Sequence, residues 1–186
     1  NVPNDPNAMA LIRQIVQRKG GLAALKGVRT VVADAETTFR LEEGPLTSTT
    51  RTYVAYPDKF RVDATVAGAE VVQIYNGGNA WVKDPAGVHD ASTAMRADFA
   101  ASVQRDTIPL LIAAAEGKLG VRLLNEEAKD GRVLTVVEVS GAQLPPVKLY
   151  VTDQMLVSRQ VYSTPGPDGR AVDAEEVFSD YRTVDG

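Results

Sequence analysis

The sequence predicts an α+β fold made mostly of antiparallel strands, and three observations predict it. Stretches of period-two alternation recur from Val28 to the end of the chain, about ten in all. Turn-forming residues separate them, with no βαβ rhythm. Sustained helical spacing is found in residues 6–19 and in one insertion at about 92–116. At 186 residues the chain is read as a single domain, 1–186, long enough to bury a substantial core.

In chain order, Asp5-Pro6 is a helix start, with Asp as N-cap and Pro at the first helical position. Met9, Ile12, Ile15 and Val16 share one side of that helix, and Gly20-Gly21 ends it. Its simplest role is packing. A helical turn from Leu22 to Lys26 follows. Val28 to Leu41 is a long strand whose apolar side carries Val31, Ala33, Ala35 and Phe39, and Thr47 to Tyr56 returns with weak sidedness. In residues 57–82, Phe60, Val62, Ala64 and Val66 alternate with Lys59, Arg61, Asp63 and Thr65. Ala67-Gly68-Ala69 and Asn76-Gly77-Gly78-Asn79 supply turns, since both contain residues that tolerate positive φ.

Pro85, Gly87 and His89 are then read as a loop. Ser92 or Thr93 caps a helix through Gln104, with Met95, Phe99 and Val103 on one side. Asp106 or Thr107 caps a second, very apolar helix from Ile108 to Ala115, and the intervening Pro109 marks a hinge. Strands resume at Val121 to Ala128. Lys129-Asp130-Gly131-Arg132 is a hairpin turn into Val133 to Val139. Pro145-Pro146 separates that strand from Val147 to Thr152, Leu156 to Ser163 follows, and a last strand runs through Tyr181.

Composition narrows the chemistry. A formal charge of −4 with scattered Lys and Arg lacks the basic stripe that nucleic acid requires. It also disfavours anionic lipid surfaces, so lipid contact is expected in a pocket. No apolar run reaches the ~20 residues of a membrane-spanning helix. With no cysteine and one histidine, neither thiolate chemistry nor a zinc site is expected, and no metal or cofactor is assigned. His89 beside Asp90 could orient a base, but no G-x-S-x-G turn marks a nucleophile. The carboxylates alternate along strands or double beside turns, as on a solvated face. The chain is therefore read as non-enzymatic. Phe60 and Trp81, with Phe39, Tyr53 and the helix from Ile108 to Ala115, fit either an ordinary filled core or a pocket between a curved sheet and helices across its mouth.

Tyr56-Pro57-Asp58-Lys59-Phe60-Arg61 and, after the hairpin, Tyr75-Asn76-Gly77-Gly78-Asn79-Ala80-Trp81 resemble the Pro-x-x-Phe…Asp-Gly-x-x-x-Trp passage of the LolA/LolB lipoprotein-carrier superfamily, and more closely its LolA-like bacterial members. Gly20-Gly21-Leu22-Ala23-Ala24-Leu25 and the ending Phe178-Ser179-Asp180-Tyr181-Arg182-Thr183-Val184-Asp185-Gly186 agree with the same relatives. The resemblance implies an unclosed antiparallel β-barrel, one strongly curved sheet of about ten strands under a helical lid, located in the periplasm and holding acyl chains. In the lipoprotein carrier an Arg before the Pro latches the lid; Tyr56 occupies that position here. The relatives commonly continue past the Val-Asp-Gly ending, so the resemblance leads one to expect a further strand or tail there, and in some relatives such a domain follows a metallopeptidase region.

The expected function is non-catalytic binding or carrying of a lipid or lipoprotein acyl chain in the cell envelope. Phe39, Phe60, Val62, Ile74 and Trp81 are expected to form the sheet wall of the cavity, and Phe99, Ile108, Leu111 and Ile112 the lid. The alternative is a protein-interaction or accessory domain with a filled core, possibly attached to a peptidase, whose partner is an envelope protein.

Overall fold

The computed structural model describes residues 4–41, 44–129, 131–165 and 170–183. In chain order these contain α1 (Pro6–Arg18), α2 (Leu22–Gly27), β1 (Thr30–Leu41), β2 (Gly44–Ala55), β3 (Lys59–Val66), β4 (Ala69–Asn76), β5 (Asn79–Asp84) and β6 (Gly87–Asp90). There follow α3 (Thr93–Arg105), α4 (Thr107–Ala115), β7 (Gly120–Leu123), β8 (Glu127–Lys129), β9 (Arg132–Gly141), β10 (Leu144–Val151), β11 (Val157–Pro165) and β12 (Ala171–Val177). The expected α+β class, antiparallel throughout, is what is found.

The single strongly curved sheet is not. The strands form two six-stranded sheets, β1-β2-β3-β4-β5-β6 and β12-β11-β10-β9-β7 with β8 also on β9, and neither is closed among the described residues. The chain correspondingly divides into two compact units, Val28–Val103 and the combination of Asn1–Gly27 with Gln104–Gly186.

The Val28–Val103 unit is a meander in which each strand pairs with the next. Three of its hairpins, β3–β4, β4–β5 and β5–β6, are set by two-residue turns. Gly77 and Gly78 have φ of 56° and 93°, the left-handed region that lets Asn76 pair with Asn79. At the preceding turn Ala67 adopts φ 49° beside Gly68 at 81°, a conformation that an alanine side chain resists. Residues 87–90, expected as loop, form β6, because Gly87 (φ 124°) turns the chain back so that His89 pairs with Val82. α3 starts where Ser92 Oγ accepts from the Met95 N–H, and it packs Phe99 and Val103 onto the sheet.

The second unit carries the larger core. Asp5 caps α1 by accepting from the Asn7 and Ala8 N–H groups, and α1 buries Ala8, Ile12, Ile15 and Val16. These meet Leu110, Leu111 and Ala114 of α4 and Val121, Val137, Val139, Val147, Leu149, Val151 and Val157 of the sheet. The other face of the same sheet buries Leu134, Val136 and Tyr150.

Three strand boundaries differ from expectation. The stretch read as Val121 to Ala128 divides into β7 and β8, both paired with β9. Pro145-Pro146 lies inside β10, where a register shift between Leu144 and Val147 absorbs two residues that lack N–H donors. The last strand ends at Val177, short of Tyr181, and Asp180 beyond it has φ 54°. The expected turn at Asp130 falls outside the described residues, but its flanks Lys129 and Arg132 pair as a hairpin.

Candidate functional site

Strand register decides which side chains share a surface, because directly opposed residues of an antiparallel pair point the same way. Phe60 opposes Val54 on one side and Tyr75 on the other, and Tyr75 opposes Ala80. Thr52, Val62, Gln73 and Val82 form the next row on that face, and Thr50, Ala64 and Val71 the one after. α3 covers only part of it. Phe99 meets Phe60 edge-on, with ring centroids 5.3 Å apart, and Phe60 stacks on Tyr75 at 5.7 Å. Phe60, Tyr75, Ala80, Val82, Ala91, Phe99 and Val103 are buried together. Val54, Val62 and Val71 adjoin this cluster only half-buried, and Ala64 and Val66 continue the strip toward the Ala67-Gly68 turn. Farther out, Ala33 and Ala35 of β1 are exposed on the same face.

Phe60, Val62 and Phe99 are thus brought together. Ile74 and Trp81 are not with them: they oppose each other, Ile74 opposes Arg61, and all three lie on the reverse face with Tyr53 and Val32. Ile108, Leu111 and Ile112 belong to the core of the other unit, where Leu111 is fully buried among α1 and sheet residues. Phe39 lies on β1 opposite Leu46, and its side chain falls outside the described set. Tyr75 was missed by sequence reasoning.

The break between α3 and α4 sits at Asp106, three residues before Pro109. Asp106 has extended backbone and accepts from the Ile108 N–H at 3.0 Å. Gln160 of β11, 1 % exposed, donates to the Arg105 carbonyl at 2.8 Å and accepts from the Thr107 hydroxyl at 3.4 Å. A buried amide is tolerated only when hydrogen-bonded, so Gln160 holds this junction in one geometry. No sequence signal marks it, since a Gln between Arg159 and Val161 reads as solvent-facing.

Two groups of charged side chains bear on possible chemistry. His89 Nε2 lies 2.9 Å from Asp84 Oδ2, on the exposed β5–β6 hairpin. The hydrogen bond with Asp84 raises the His89 pKa, and the same bond lowers that of Asp84. On the second sheet, the guanidinium of buried Arg159 lies 3.5 Å from the centre of the Tyr150 ring, with Glu127 at 2.6 Å and Glu175 at 3.4 Å. Arg159 also borders a cavity of about 260 Å³ with Arg132, Leu134, Val177 and Phe178. A larger, mixed-polarity cavity of about 790 Å³ opens beside it under residues 178–181. Two carboxylates already neutralise Arg159, which makes it a structural ion cluster.

No protein-family model matches the sequence, and no curated protein matches it significantly. Solved structures do. A DUF1329 family protein from Desulfovibrio piger ATCC 29098 superposes with a TM-score of 0.54 at 17% identity, over 98% of this chain and 82% of that one. A domain from Vibrio parahaemolyticus described as an outer membrane lipoprotein-sorting protein gives 0.52 at 13% identity, over 96% and 79%. A LolA superfamily protein from Nitrosomonas europaea gives 0.51 at 16% identity, over 94% and 80%. The fold is LolA-like. At these identities the likeness concerns the fold, and residue roles in the LolA-like chain rest on its own geometry. Among the described residues no helix is long and apolar enough to cross a membrane.

Proposed function

We propose that this LolA-like protein binds a hydrophobic ligand, a lipid or a lipoprotein acyl chain, without catalysis, and carries it within the bacterial cell envelope, in the periplasm. One observation carries the reading: the apolar face of the β1–β6 sheet is covered by α3 over Phe60, Tyr75 and Val82 but left half-buried along Val62, Ala64, Val66 and Val71. The ligand extends from this strip toward the aromatic cluster, with α3 as a displaceable cover. In this proposal the six-stranded sheet is the wall of an unclosed barrel.

The energetics are balanced. α3 fully buries only Phe99 and Val103. Uncovering them costs roughly 3–6 kcal/mol, at about 1.5–3 kcal/mol for each large apolar side chain. An acyl chain gains about 0.8 kcal/mol for each methylene it buries, so ten methylenes offset that cost. The membrane offers the chain a similar gain, which keeps release possible.

Native mass spectrometry of the protein expressed in a bacterial periplasm tests the reading. Retained lipid mass is expected, with methyl resonances of Val62 and Val71 shifting when a fatty acid is added. Trp81, on the reverse face, is expected to respond little. Absence of retained mass together with unmoved Val62 and Val71 methyls would overturn the proposal and favour the accessory-domain alternative with a filled core.

A further inference from the structure

The free edges of the two sheets are treated unequally. β6 and β8 are only four and three residues long. β7 is plugged: Val121 O accepts from the Asp5 N–H, the Val121 N–H donates to Asn4 Oδ1, and the Leu123 N–H to Asp5 Oδ2. β12 carries Asp173, Glu175 and Glu176 within seven residues. Short length, covering and charge are the usual devices against unwanted strand pairing. β1 has the weakest protection. It runs for twelve residues in unbroken register with β2, holds no proline or lysine, and is exposed from Val32 to Thr38.

We infer that β1 is a docking edge for an extended peptide from a protein partner, added as a further strand, whose alternate residues are basic. On one face β1 presents Val32, Asp34 and Glu36, and on the other Ala33 and Ala35. Asp34 is 71% exposed and reaches Arg51 only at 3.7 Å. A strand laid along this edge therefore sets two residues, two positions apart, against two carboxylates, while the residue between them passes over Ala35. Lys or Arg at the first pair and a small apolar residue between them complement that surface. A second copy of this chain does not. Antiparallel β1–β1 registers that keep the sheet faces continuous and overlap best place Asp34 against Glu36 or Glu36 against Glu36, like charges directly opposed. This inference is independent of the hydrophobic-ligand reading.

The test uses the intact protein and a capped nonapeptide of alternating Val and Thr with two lysines flanking a central valine. Amide chemical shifts are expected to move along β1 and β2 and not elsewhere. Two versions of the peptide, N-methylated on alternate residues in opposite phase, separate strand addition from mere charge attraction, because only one phase removes the donors that face β1. One should lose binding and the other keep it. The double variant D34K/E36K should bind the peptide about tenfold more weakly and prefer a glutamate-containing version. No binding, equal binding of the two N-methylated peptides, shifts centred away from β1, or indifference to charge reversal would each overturn the inference. Because both substitutions are at exposed sites, the variant keeps its fold, and the N-methylated pair tests the wild-type protein in any case.

Discussion

The two units use the same building material to opposite ends. In the unit containing α1 and α4, helices close over one sheet face, and Ile12, Ile15, Leu110, Leu111, Val137 and Leu149 are fully buried. In the Val28–Val103 unit a single helix covers part of the sheet, and seven residues form the buried cluster. A face closed along its length resists change, because packed interiors do not yield by degrees. A face left half-buried can accept something else. The first arrangement predicts a rigid sheet and the second a sheet whose open face can repack.

The contrast can be broken most forcefully at Leu111. Leu111→Ala should destabilise its unit by about 3–5 kcal/mol, and Phe99→Ala the other unit by about 3 kcal/mol. Amide hydrogen exchange distinguishes them: the first should accelerate exchange in α1, α4 and β9–β11, the second in α3 and β3–β5. Uniform acceleration in both variants would mean that the chain opens as one body. Gln160→Leu comes next. It removes the donor to the Arg105 carbonyl and should cost roughly 1–3 kcal/mol. Exchange should rise at residues 104–108 while Leu110 to Ala115 stay protected.

Ala67→Gly should act in the opposite direction. Relieving a left-handed alanine outweighs the added freedom of the unfolded chain, giving a gain of about 0.5–1 kcal/mol by chemical denaturation. The smallest effect is at His89, which should titrate above its ordinary 6.5. A raised folded-state value favours the fold at low pH, and that preference fades as pH climbs through it. The lowered Asp84 value acts conversely, its contribution fading as pH falls below 3.8. The pair therefore supports the hairpin most between the two titrations. Asp84→Asn should return His89 toward 6.5 in an NMR titration.

Much of this was legible in the sequence, and the failures are instructive. α1, the helix pair and the Ala67-Gly68 and Gly77-Gly78 turns follow from capping, spacing and positive-φ residues. The face of each residue in β3–β5 was legible as well. A turn centred on Ala67-Gly68 pairs Phe60 with Tyr75, and a turn centred on Gly77-Gly78 pairs Ile74 with Trp81. Those pairings put Ile74 and Trp81 behind Phe60, yet their hydrophobicity suggested a place beside it. The separation into two sheets was not legible, because alternation within a strand does not say which strand lies next to it. Nor was Gln160, whose partners lie more than fifty positions away.

The extended residue at Asp106 has a consequence for how this fold can vary. Within α4, one added amino acid would swing Leu110, Leu111 and Ala114 about 100° around the axis and out of their sockets. At the joint itself, an extra residue would lengthen an already non-helical link and sacrifice at most the two hydrogen bonds to Gln160 and the Asp106 cap. Length differences among proteins of this shape should therefore collect at that splice, leaving each flanking helix in phase with its own sheet.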